Sequence, residues 1–242
     1  MAIPRFYSPD RLSSGARLAL AEQAARHAAK VLRLREGDEL ILFDGTGGEY
    51  PAHIAEIGKH QVTAQVGAHV ARECEAPLHI TLAQAISAGD KMDFTLQKAT
   101  ELGIAQIQPL ASERSVVRLS GERADKRVGH WQGVVISACE QCGRNRIPPV
   151  APIRQFNDWL GSGFAGLRLM LSPDAALSLR DLPKPEQPLT LLIGPEGGFS
   201  EIETATAHHA KFIPVKLGTR ILRTETAALA ALAAIQALWG DY

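Results

Sequence analysis

Leu189-Thr190-Leu191-Leu192-Ile193-Gly194-Pro195-Glu196-Gly197-Gly198-Phe199-Ser200-Glu201-Ile202-Glu203 is the stretch that decides the fold. Its first five residues form an apolar run with the length and composition of a buried strand. Three glycines follow within five residues; they permit positive φ and let backbone amides approach a ligand closely. Ser200-x-x-Glu203 has the form of a capping box, so a helix is expected to start there. The order is strand, glycine-rich loop, helix. A second such unit comes next: Phe212-Ile213-Pro214-Val215 as a strand, the loop Leu217-Gly218-Thr219-Arg220-Ile221-Leu222-Arg223-Thr224-Glu225-Thr226, then a helix. Loops at the carboxyl ends of neighbouring parallel strands are where α/β sheets take their ligands. The glycine loop contains neither Gly-x-Gly-x-x-Gly nor Gly-x-x-x-x-Gly-Lys-[Ser/Thr], which excludes the ordinary dinucleotide and P-loop readings.

The chain has 242 residues, 45% hydrophobic and 21% charged, with zero formal net charge. That is an ordinary globular composition, long enough for one large domain or two smaller ones, with no global sign of a polyanionic partner. The charge is locally uneven. Residues 1–35 hold seven Lys/Arg against two acids. Such a face suits RNA phosphates, but charge alone favours a solvated helix face. Three cysteines are too few for a disulfide framework and fit a reducing compartment. Met1 to Tyr7 carry no apolar signal core, and the longest apolar run, residues 227–239, spans 13 residues, too short for a bilayer. A soluble, cytoplasmic protein is expected.

Residues 1–72 read as a small β-rich domain. A helix is predicted over Ala21–Leu34, with Ala24, Ala28, Val31 and Leu32 as its apolar stripe. Strands follow at Glu39–Phe43, Glu49–Glu56 and Gln61–Val70, joined by tight turns such as Asp44-Gly45. The polar run Arg72–Pro77 marks the domain boundary. Beyond it strands and helices alternate, the pattern of a parallel sheet: strand Leu78–Ile86, helix Asp90–Leu102, strand Ile104–Leu110, helix Ala124–Cys142 and strand Arg168–Leu171 precede the two units already described. Cys139-x-x-Cys142 closes a helix instead of opening one and lacks a second pair, so it reads as helix packing, not redox or zinc chemistry.

Taken together, Gly194-Pro-Glu-Gly-Gly-Phe-Ser-x-x-Glu203 and Leu217-Gly-x-Arg-Ile-Leu-Arg-Thr-Glu-Thr-Ala227 resemble the SPOUT superfamily of methyltransferases. More closely they resemble the ribosomal small-subunit methyltransferase E family, which methylates N3 of a uridine in 16S rRNA. Gln97-Lys98-x-Thr100-Glu101-Leu102-Gly103, Ser112-Glu113-Arg114-Ser115-Val116 and Glu140-Gln141-x-Gly143-Arg144 match the same family. The match is weaker in the first domain, where His27-x-x-x-Val31-Leu32-Arg33 and Asp44-Gly45 carry it. The resemblance implies an α/β protein: a PUA-like RNA-binding β-barrel over 1–72 and a SPOUT parallel-sheet domain over 73–242 with a deep trefoil knot. True knots are nearly absent from proteins, and nothing in the periodicity predicts one.

The cofactor so implied is S-adenosyl-L-methionine, held by three loops: Leu171, Ser172 and Pro173; Gly194, Pro195, Glu196, Gly197 and Gly198; Leu217, Gly218, Ile221 and Leu222, with Arg223 and Thr226. The implied partners are 16S rRNA in the small ribosomal subunit and a second copy of the chain, with no metal and no membrane. Arg5, Arg11, Arg26, Lys30 and Arg33 are the candidate RNA contacts. Uridine N3 must lose a proton, and the anion spreads over O2 and O4. Arg223, Arg144 or Arg114 are candidates to stabilise that charge, and Glu225 or Glu140 to accept the proton. Glu225 reads equally as a first-turn acid favoured by the helix dipole. Two alternatives stand beside this one. Ribose 2′-O methylation on the same fold would bring an Asn-x-Gly segment, which neither Asn145 nor Asn157 begins. A non-catalytic RNA-binding or assembly protein would not need the glycine and arginine loops.

Overall fold

The computed structural model describes residues 3–59, 61–117 and 119–242. Met1 and Ala2, at the start of the segment read for a signal core, lie outside them. The chain divides into two compact units. The first runs to Glu75 and takes in Cys139–Ile147; the second comprises Ala76–Ala138 and Pro148–Tyr242. The excursion of 139–147 into the first unit is invisible in composition, because it rests on side-chain bonds to distant residues.

In the first unit, β1 (Arg5–Tyr7), β2 (Arg17–Ala19), the helix α1 (Glu22–Arg26), β3 (Glu39–Phe43), β4 (Tyr50–Ile57) and β5 (Val62–Val66) give a five-stranded sheet in the order β1-β3-β4-β5-β2. The period-2 pattern is what closes it over a core: Leu40 and Leu42, Ala52 and Ile54, and Val62, Ala64 and Val66 alternate inward to meet Phe6, Leu20, Ala24 and Ala28. A register shift between Ile54 and Glu56 bends β4, the usual way such a sheet curls. The predicted helix over 21–34 is corrected. α1 ends at Arg26 and a π-helical turn, His27–Val31, takes over, with Leu32 N–H donating to His27 O at 3.0 Å. Widening to i→i−5 breaks the 3.6-residue stripe. Ala24 and Ala28 stay buried, whereas Val31 and Leu32 turn out to solvent. Arg33, at φ 56°, ends the turn in the left-handed region.

The second unit holds β6 (Ile80–Ala85), α2 (Lys91–Glu101), β7 (Gln106–Ala111), most of α3 (Gly121–Cys142), β8 (Arg154–Gln155), α4 (Phe156–Leu160), β9 (Leu167–Leu171), β10 (Leu177–Ser178), β11 (Leu189–Ile193), α5 (Glu201–His209), β12 (Ile213–Lys216) and α6 (Thr224–Trp239). Its seven strands lie in the order β10-β12-β9-β11-β6-β7-β8, and every pairing is parallel. All five residues of β11 are buried, as a strand covered on both faces requires. Leu192, in register with Ala83 of β6 and Met170 of β9, packs under Phe156, Trp159, Leu160 and Phe212. On the other face α6 packs against α2, where Gln236 Nε2 donates to Leu102 O at 2.9 Å. β11 and β12, read from the sequence as neighbours, are separated by β9. That insertion brings the loop after β9 between the other two. No helix among the described residues is long and apolar enough to cross a membrane.

Candidate active site

Three loops leave the carboxyl ends of β9, β11 and β12 and meet. Ser172 N–H donates to Val215 O at 3.0 Å, tying the first loop to the end of β12. In the second loop Gly198 N–H donates to Pro195 O at 2.9 Å, and Gly198 sits at φ 66°, where an L side chain is strained. Thr224, the first residue of α6, donates its hydroxyl to Gly194 O at 2.6 Å and so joins the third loop to the second. Between them is a cavity of about 470 Å³, a size common for a small-molecule site. Every residue that the sequence assigned to the three loops lines it, with one exception. Thr226 is exposed on the first turn of α6 and takes no part; Thr224 and Ala227 line the wall instead. Residues three apart share a helix face, and Thr226 lies off it. Ile193, Val215, Lys216 and Arg220 also line the cavity and went unassigned. Counting from the observed ends of β11, β12 and α6 would have found them.

The walls are mostly apolar side chains and glycine backbone. Charge sits with Lys216, Arg220 and Arg223, none of which has an ion-pair partner among the described residues, and with Glu196. Glu196 faces away from that cluster chemically: its Oε1 accepts from Ala88 N–H at 3.2 Å and from Lys91 Nζ at 3.1 Å. Burial acts to raise its pKa, but these donors and its own amide outweigh burial and hold it below the ordinary glutamate value. It therefore serves as an anionic post that fixes the loop after β6 to the glycine loop. Arg114 does the same from the loop after β7, donating to Gly197 O at 3.0 Å. Beneath it, Glu203 completes the predicted capping box with Ser200 and also accepts Glu113 N–H at 2.8 Å. Arg114 thus braces the loop's outer side, and a Cβ on Gly197 would lie 3.4 Å from its Cβ.

Two family models match this chain: an RNA methyltransferase domain over residues 74–236 and an RNA methyltransferase PUA domain over residues 20–67. A ribosomal RNA small subunit methyltransferase E from Buchnera aphidicola is 37% identical over 240 residues, covering 99% of this chain and 98% of its own. The chain belongs to the ribosomal RNA small subunit methyltransferase E family. A solved structure of a family member from Neisseria gonorrhoeae, bound to S-adenosyl methionine, is 46% identical with a TM-score of 0.93, covering 100% of both chains. A Legionella pneumophila structure in complex with the cofactor SAM is 39% identical with a TM-score of 0.97, again covering 100% of both chains.

Within this family frame the remaining candidates separate. Glu225 is in the first turn of α6; its Oε2 is buried with no hydrogen-bond partner among the described residues, and it does not line the cavity. Glu140 and Arg144 belong to the first unit and are engaged there. Arg144 binds Glu75 through Nε at 2.9 Å and through Nη2, with only 6% of its side chain exposed. Glu140 Oε1 accepts Tyr7 N–H at 3.0 Å; burial raises its pKa above the ordinary value, against the lowering effect of that bond, His27 and Arg5. Of the five basic candidates for RNA, Arg5 is corrected. It is almost wholly buried, bonded to Glu49 and Asn145 Oδ1, with its guanidinium over the Phe43 ring at 5.2 Å. Charge counting along a sequence cannot see that Glu49 and Asn145 consume it. Arg11, Arg26, Lys30 and Arg33 are exposed, Arg26 in an i,i+4 pair with Glu22. Cys139 behaves as a packing residue: it is buried, and burial pushes its thiol up to about 12, while Cys142 is half-buried and Cys74 exposed.

Proposed function

We propose that this chain is an S-adenosylmethionine-dependent methyltransferase that acts on N3 of a uridine in 16S rRNA, on the assembled small subunit. The observation that carries the reading is the single cavity formed by the three loops, apolar-walled and with arginine at its rim, together with family membership. The residues fit the cofactor. At Gly198 and at Gly218, φ 66° and 72°, a Cβ would project into open space, so both backbones are bare toward a ligand. Leu171, Pro173, Ile193, Leu217 and Leu222 offer apolar surface for a purine, and main-chain groups of the loops offer its polar edge donors and acceptors. When bound, the cofactor supplies a methyl group on a positively charged sulfur.

The chain's own residues do the rest. The mostly apolar walls lower the local polarity, which strengthens the field of a fixed charge at the reacting atoms. Arg223 stabilises the negative charge that develops on uracil O2 and O4 as N3 loses its proton. Glu225, two residues further and just behind the cavity wall, has a buried carboxylate oxygen with no hydrogen-bond partner among the described residues and is the candidate to accept that proton. Arg114 and Glu196 hold the glycine loop, while Glu140 and Arg144 order the first unit. Arg11, Arg26, Lys30 and Arg33 contact rRNA phosphates.

The test is incubation with methyl-labelled cofactor and 30S subunits that lack the modification, followed by nucleoside analysis. Label in 3-methyluridine is expected. Label in a 2′-O-methylated nucleoside would favour the ribose alternative, and no transfer despite binding to subunits would favour an assembly protein.

A further inference from the structure

The hydroxyl that joins the two principal loops is itself held from below. Gln84, on β6 and fully buried, donates through Nε2 to Thr224 Oγ1 at 3.0 Å and to Ala85 O at 2.9 Å. The amide orientation is fixed by chemistry: a backbone carbonyl only accepts, so the nitrogen must face Ala85. Thr224 in turn spends its one proton on Gly194 O, 2.6 Å away, and is 6% exposed. A serial chain results, Gln84 Nε2–H to Thr224 Oγ1–H to Gly194 O. It crosses from the centre of the sheet through the first residue of α6 to the first residue of the glycine loop. Accepting from the amide polarises the hydroxyl and strengthens its bond to the carbonyl. Gln84 is fully buried, so a donor removed there is not replaced from solvent.

We propose that Gln84 is a positioning residue for the cofactor cavity, acting through Thr224 to lock the arginine loop and the glycine loop into one cradle. The inference rests on the cofactor reading of that cavity. Both ends of the chain it controls, Gly194 and Thr224, line the cavity, whereas Gln84 itself does not. Thr224 also follows Arg223 directly, so the same hydroxyl sets where α6 begins and hence where the guanidinium leaves the backbone.

Titration calorimetry with S-adenosylhomocysteine tests this in folded protein. Thr224→Val keeps the shape and removes the hydroxyl, and Gln84→Met keeps the length and removes the donor. Each should weaken binding by about tenfold, the loss of one ordinary hydrogen bond. Thr224→Ser, which restores the hydroxyl, should bind close to the parent. The double variant Gln84→Met/Thr224→Val should lose no more than Thr224→Val alone, since a serial chain is cut once. Two independent contacts would instead give additive losses. Parent affinity in Thr224→Val, or additive losses, overturns the inference. If Gln84→Met fails to fold, Gln84→Asn, which keeps the amide but shortens its reach to Thr224, takes its place in the cycle with Thr224→Val, with the same outcomes. Absence of binding by the unaltered protein overturns the cofactor reading, and this inference with it, and is recognised before any variant is made.

Discussion

Arg223 precedes the first turn of α6 with its side chain exposed at the cavity rim and no ion-pair partner among the described residues. A fixed positive charge there opposes a bound sulfonium and favours a uracil anion, so it acts on the transition state more than on cofactor binding. Arg223→Ala should therefore lower single-turnover methylation of saturating 30S subunits by about a hundredfold or more, with cofactor affinity little changed; a defect that vanishes at saturation would mean that Arg223 only positions RNA. Arg223→Lys keeps the charge and loses the planar fork, and an intermediate rate is expected. Gly198→Val strains a residue at φ 66° by about 1–3 kcal/mol and places a side chain in the cavity; a folded variant with parent affinity for S-adenosylhomocysteine would remove that loop from the site. Glu140 gives a prediction of opposite kind. Its folded pKa is raised, chiefly by burial. A raised group contributes stability that is complete below its unfolded value and is lost as pH rises through the folded one. Glu140→Gln keeps the acceptor for Tyr7 N–H and abolishes the titration. Urea melts should show the variant gaining on the parent as pH rises from about 4 to 7, with methyl transfer retained. A variant that gains nothing over that range, or that loses turnover, would return Glu140 to the list of proton acceptors.

At the scale of elements, α5 shows how a cap becomes part of a site. Glu203, 4% exposed, accepts Ser200 N–H at 3.0 Å and Glu113 N–H at 2.8 Å, while Ser200 Oγ accepts Glu203 N–H at 3.2 Å. Glu203→Ala leaves one buried amide, that of Ser200, and one partly buried amide, that of Glu113, without partners, and a loss of about 2 kcal/mol in chemical denaturation is expected; a loss below about 0.5 kcal/mol, the level of an ordinary surface change, would mean that water replaces the carboxylate. This cap was legible in advance because Ser-x-x-Glu is a local pattern, and so were β11, α6 and the loops between them. What escaped was non-local. The stripe through Val31 and Leu32 failed because a π-helical turn cannot be read from spacing that assumes 3.6 residues. The short strands β1, β2, β8 and β10 have two or three residues each and owe their existence to neighbours, not to pattern. β9 between β11 and β12 is a matter of sheet order, on which sequence order is silent. Arg5 was read as a surface cation because Glu49 and Asn145 stand 44 and 140 residues away. Gln84 gave no signal at all: a glutamine inside an apolar strand is remarkable only once Thr224 is opposite it.

On the scale of the whole molecule, zero net charge leaves long-range attraction to RNA to local cations, and association between copies to apolar surface. In the second unit that surface is concentrated. α6 buries Ala228, Ala231, Leu232 and Ile235 against its own sheet and α2, yet Leu238 remains 43% exposed and Leu229, Ala230, Ala233 and Ala234 are only half-buried. A helix that is apolar nearly all round needs cover on more than one side. Ile202 on α5 is 71% exposed, and Ile221, which lines the cavity, is 85% exposed. An apolar residue that is at once cavity wall and open surface leaves the cavity unfinished on that side. A second copy of the chain, meeting it through the same region, would cover α6 and close the cavity over Ile221 in one step, with two equivalent sites related by a twofold axis. The protein is therefore expected to be a homodimer whose binding depends on the dimer. Light scattering at micromolar concentration should give twice the chain mass. Leu238→Lys with Leu229→Lys, which sets charges on the half-covered face of α6, should give the monomer mass and weaken S-adenosylhomocysteine binding together. A parent protein that scatters as a monomer refutes the assembly, and a monomeric variant that binds as the parent does would show that one chain completes its own cavity.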